Sequence, residues 1–145
     1  MFATAVVLLA RLVEGRTRRV ALTLAIAHGV AFVLVGLFHG MADAPGYSLA
    51  IHVGGAAVGI LCANTVAIMA GSLRSLELPT AYRVFSIAVG VLGLLSEALA
   101  GMSARTAGVF ERGGVYSWLL WSVVTGAALL ARYVRAPAVM ENVPV

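Results

Sequence analysis

Four long runs, 20–38, 49–73, 84–102 and 115–131, hold almost no charged side chain, and this constrains the chain more than any other feature. Each run is close to the ~20 apolar residues that an α-helix needs to cross the hydrocarbon core of a bilayer. In hydrocarbon every backbone N–H and C=O must be paired within the protein, so runs of this kind become helices. The charged residues are swept into the segments between them. A chain of 145 residues with only 11% charged side chains and a mean hydropathy of +1.01 cannot clothe a soluble surface. The expected class is all-α: a polytopic membrane protein with four transmembrane helices in an antiparallel bundle.

Residues 1–13 (MFATAVVLLARLV) are apolar apart from Arg11 but too short to span. Arg11 follows the apolar stretch instead of preceding it, and no small-residue cleavage motif comes after, so a signal peptide fits poorly. A half-length helix, lying in the interface or packed on the bundle, is the expectation. The alternative is the end of a span that is complete in longer relatives. An Arg-rich cytoplasmic turn completes the segment 1–19, and residues 132–145 are expected to form a cytoplasmic tail.

All ten basic residues are arginine. Arg16, Arg18, Arg19, Arg74, Arg83, Arg132 and Arg135 fall on one side of the four-span scheme, and only Arg105 and Arg112 on the other. By the positive-inside rule both tails are cytoplasmic, and the loops 39–48 and 103–114 face outward. Tyr47, Tyr116, Trp118 and Trp121 then fall at the outer interface, and Tyr82 and Tyr133 at the inner one, where amphipathic aromatics collect. The arginines flank spans and form no patch, so nucleic acid is not an expected partner. Missing lysine and abundant Ala, Val and Gly fit a GC-rich bacterial genome, hence an inner-membrane location. Cys62, the single cysteine, lies within a span and reads as a small buried packing residue.

Lipid is as apolar as leucine, so membrane helices associate where small residues let backbones approach. At about 100° per residue, Ser86, Gly90, Gly93, Glu97 and Gly101 share one side of the third run. Gly55, Gly59 and His52 share a side of the second, and Gly36 and His28 a side of the first. Asn64 lies off the His52 stripe and is expected to bond a neighbouring helix or subunit. Partners are accordingly membrane lipids and other membrane subunits or a second copy of the chain.

Glu97 is the one acid within the four runs. Its depth matches those of His52 and His39 in the outer half, with Asp43 above and His28 nearer the midplane. Several readings of this group stand open. Glu97 can tie helices together by a hydrogen bond. It can handle a proton or substrate from outside, using Glu97, His52, His39, Asp43 and His28. Metal-ligand chemistry is present, but no helical His-x-x-x-His or Glu-x-x-His spacing fixes a geometry, and haem at His28 has no motif. No catalytic residue, metal or cofactor is assigned, nor does any phosphate loop or nucleophile–base pair occur. The glycines of VGGAAVG lie inside a span and read as packing residues.

Gly36-Leu37-Phe38 at the end of the first span, His52 with Gly55-Ala56 in the second, and Leu119-Leu120-Trp121 in the last resemble the bacterial membrane family called domain of unknown function 998. His39 stands where that family's pattern has proline. The resemblance implies a polytopic bundle and no particular reaction. Members usually carry additional leading spans, so this chain would correspond to the last four, with residues 1–13 as the end of an earlier one. The function expected is a non-catalytic accessory or stabilising subunit or lipid-contacting bundle. A small transporter or membrane enzyme using the Glu/His group is the alternative.

Overall fold

The computed structural model describes residues 2–38, 40, 45–74, 78–102 and 105–135, and among them no strand occurs. Five helices form: α1 (Phe2–Arg11), α2 (Gly15–Leu37), α3 (Gly46–Ser72), α4 (Thr80–Ala100) and α5 (Ala107–Arg135). The last four are long and apolar enough to cross a membrane. The protein is thus a helical bundle of the integral membrane class. His39 and Asp43 fall outside the described residues, as does 136–145 of the tail.

The helices overrun the apolar runs that predict them. α2 begins at Gly15 and takes in Arg16, Arg18 and Arg19, because helical hydrogen bonding continues past the edge of the apolar zone. Gly15 makes the tight reversal from α1 with φ +62°, a conformation that costs glycine nothing and other residues strain. Pro45 and Pro79 stand directly before α3 and α4, where a missing N–H is harmless. The larger departure is at 103–114, expected as an outward loop. From Ala107 onward this stretch is α5, and Gly113-Gly114 is helical. Those glycines are contact points, not turn formers. A Cβ on Gly114 would lie 2.8 Å from Ile60 Cγ2, and Gly113 backs directly onto the Ser96 hydroxyl.

Neighbours in sequence are neighbours in space. α2 packs on α3, α3 on α4, and α4 on α5, while α3 also touches α5. α3 is the centre: 56% of its most apolar window is buried, against 17–28% for the other three. Its contacts with α4 are backbone-close. A Cβ on Gly90 would sit 2.7 Å from the Asn64 carbonyl oxygen, and one on Gly71 2.6 Å from that of Arg83. On the opposite side, Gly55 and Gly59 admit Ala31 and the Phe32 ring of α2. Gly36 and Gly101, expected on packed faces, are exposed, and a Cβ on Gly36 would meet no other part of the bundle within 4 Å. Cys62, expected buried, is half-buried.

α1 is the half-length helix, and it packs on the bundle. Phe2, Ala5, Val6 and Leu9, at helical spacing, are buried against α2, α5 and the edge of α3. α1 therefore contacts both α2 and α5. The outer surface is apolar. Ile26, Val30, Val33 and Leu37 make a bare stripe along α2, as a lipid-facing helix requires.

Candidate functional site

The polar side chains inside the bundle fall into three groups, and each is placed by a different helix pair. The first joins α2 and α3. His28 is buried, and its Nδ1–H donates to the Gly59 carbonyl oxygen at 2.9 Å. Farther along, His52 returns the favour from α3. Its Nδ1 lies 2.9 Å from the Phe38 oxygen and 3.2 Å from that of Val35. The last carbonyls of a helix have no partner within it, so His52 caps the end of α2 from the neighbouring helix. Each of the two helices thus sends one imidazole to the other's backbone. Replacing His52 with alanine is expected to cost roughly 0.6–1.7 kcal/mol, the range found for bonds between membrane helices. Amide exchange should quicken at the end of α2 and stay unchanged in α4.

The second group surrounds His28 with aromatic rings. Phe2 of α1, Phe32 of α2 and Trp118 of α5 stand 4.2, 4.7 and 4.9 Å from its ring centroid. These are edge and tilted packings that join three helices around one imidazole. The adjoining Trp121 is fully buried, and its Nε1–H donates to Ser86 Oγ at 2.7 Å. Ser86 Oγ in turn donates to the Ala67 oxygen at 2.6 Å. A relay of two hydrogen bonds therefore runs from α5 through α4 to α3. Both tryptophans were expected at the outer interface. The structure packs Trp118 on Phe2, His28 and Phe32 and buries Trp121 against Ser86 of α4, so both rings turn into the bundle. Only Tyr47 and Tyr116 of that outer set are strongly exposed. Tyr82 bonds Thr125 Oγ1 at 2.8 Å.

The third group contains Glu97. One turn along α4 from Gly93, its Oε2 is buried and has no hydrogen-bond partner, although the residue as a whole is half-buried. Oε2 lies against Gly114 of α5, 3.5 Å from where a Cβ would be. Asn64 of α3 comes to the same spot. It is fully buried, and its Nδ2 donates to Ile60 O at 2.9 Å and across to Gly114 O at 3.1 Å. The expected bond from Asn64 to a neighbouring helix is therefore made to α5.

Glu97 and His52 are not brought together. Glu97 lies level with Ile60, eight residues from His52 in sequence, or about 12 Å along α3, and His52 is engaged on α2. On α5, Glu111 precedes by three residues the Gly114 beside which Glu97 Oε2 lies. The signal that could have found it is spacing. Glu111 precedes the contact glycines Gly113 and Gly114 on one helix. Among the described residues no three of His, Cys, Asp and Glu gather as metal ligands would. Compared with protein-family models, with curated proteins and with solved structures, the chain matches none.

Proposed function

We propose that this chain is a non-catalytic subunit of a bacterial inner membrane, an accessory or stabilising bundle that offers apolar helix faces to lipid and to other subunits. The observation that carries this reading is where the polar side chains are spent. His28, His52, Asn64, Ser86 and Arg83 each bond a backbone carbonyl on another helix. Groups held this way fasten helices together, and they have no hydrogen left over for a substrate at the same atom. The bare stripe Ile26, Val30, Val33 and Leu37 supports a surface made for lipid or for another membrane helix. The arginines support the orientation. Arg16, Arg18, Arg19, Arg74 and Arg83 mark the cytoplasmic end, Arg105 and Arg112 the outer one.

Native mass spectrometry after gentle extraction tests the subunit reading. The expected result is a stoichiometric complex with a second membrane chain or a second copy. A bare monomer in several mild detergents would overturn it. One observation favours a second reading, a small transporter or membrane enzyme: the partnerless Oε2 of Glu97. On that reading, Glu97→Gln abolishes transport or turnover while the bundle stays folded.

A further inference from the structure

Where α3, α4 and α5 meet, two buried acceptor oxygens, Asn64 Oδ1 and Glu97 Oε2, have no donor. Each stands against a glycine of the junction, Asn64 Oδ1 against Gly93 and Glu97 Oε2 against Gly114. The Asn64 carboxamide lies on Gly93, with its oxygen nearest, and bonds Gly114; Glu97 Oε2 lies beside Gly114. The absent side chains at 93 and 114 make room for them. Asn64 cannot supply the missing hydrogen, because both hydrogens of Nδ2 are spent on Ile60 O and Gly114 O. A buried acceptor left unpaired is costly, and native structures rarely retain one without a reason.

The groups facing Glu97 are few. Among the described residues, α5 brings Glu111, half-buried, and Arg112, exposed. α3 brings Asn64 and Ile60 at this level, with half-buried Cys62 close by in sequence and no charged residue. A bare carboxylate is the costliest form of this side chain in an apolar surround.

We infer that Glu97 carries a proton in the folded bundle, and that its carboxylic O–H is the donor the α3–α4–α5 junction lacks. The junction is then a proton-binding site, with Glu111 on its approach from the end of the bundle where α5 begins. This holds whether the chain is an accessory subunit or a transporter.

Dicyclohexylcarbodiimide provides the test, applied to the intact chain in detergent. The O–H of a neutral carboxyl adds across one C=N bond of the reagent, and the O-acylisourea formed rearranges to a stable N-acylurea with no leaving group. Peptide mass spectrometry is expected to find the adduct on Glu97 and none at that position in Glu97→Gln. Labelling should fall about tenfold per pH unit above its midpoint, as the neutral fraction does. The infrared carbonyl band of a neutral carboxylic acid, present in the wild type and lost in Glu97→Gln, gives a readout independent of reagent access. Glu97→Gln retains an N–H donor at the junction, so its bundle should remain helical by circular dichroism. Absence of that band at mildly acidic pH in a folded bundle would overturn the proposal. So would labelling that sodium suppresses at constant pH, since the two oxygens would then hold a metal cation.

Discussion

Leucine at position 90 should separate α3 from α4. The groups in its way are the Asn64 carbonyl oxygen and the Ile68 backbone nitrogen, 2.7 and 3.1 Å from where the new Cβ would begin. Side chains can swing aside, but backbone moves only if the helix moves. Overpacking usually costs about 1–3 kcal/mol, and Gly90→Leu should lie at or beyond the top of that range. Thermal melting in detergent reads it directly. The control is Gly29→Leu, in which an exposed glycine whose added Cβ would meet nothing within 4 Å is replaced by a good helix former. That variant should melt at or slightly above the wild-type temperature. Equal melting of Gly90→Leu and wild type would show that the two backbones do not touch.

The second large effect is expected at Trp121. Its ring is the largest fully buried side chain, and its N–H begins the relay to α3. Trp121→Ala removes both and should cost about 3–5 kcal/mol. Trp121→Phe keeps most of the ring and loses the hydrogen bond, so its cost should fall to about 0.6–1.7 kcal/mol. Ser86→Ala leaves the indole N–H buried and unpaired. The double variant Trp121→Phe/Ser86→Ala should therefore cost less than the sum of the two single changes. Strict additivity would show that the indole and the hydroxyl act independently.

The helices were legible in the sequence because spans are written in composition. An apolar run near bilayer length admits little but a helix. The stripe Ser86, Gly90, Gly93 and Glu97 was legible as well, because a helix keeps residues at that spacing on one face. Three of its members are buried, Glu97 is half-buried and only Gly101 faces out. What misled was residue type read without neighbours. Gly113-Gly114 has the composition of a turn, and only the closeness of Ser96 and Ile60 shows why a helix would carry two glycines there. Trp118 and Trp121 have the composition of an interfacial belt. Their inward direction depends on partners in other helices, His28 and Phe32 of α2 and Ser86 of α4, which no single run encodes. For the same reason Glu97 drew the wrong companions. Position along one helix cannot tell which neighbouring helix lies beside it, and α5 supplies Gly114 where His52 of α3 had been expected.

The position of α1 has a consequence for the order in which the bundle can be assembled. Phe2 needs both His28 of α2 and Trp118 of α5 to complete its surroundings. One of these comes early in the chain, and the other lies more than a hundred residues after Phe2. While the ribosome is still making α3 and α4, α1 has only half of its seat. Pairs such as α2–α3 close on local contacts and can form as the helices enter the bilayer. α1 must wait for α5, a contact of long sequence separation and therefore a late one. Until then its apolar face is open, and a chain stalled before α5 would expose that face to whatever insertion or quality-control factors attend the membrane.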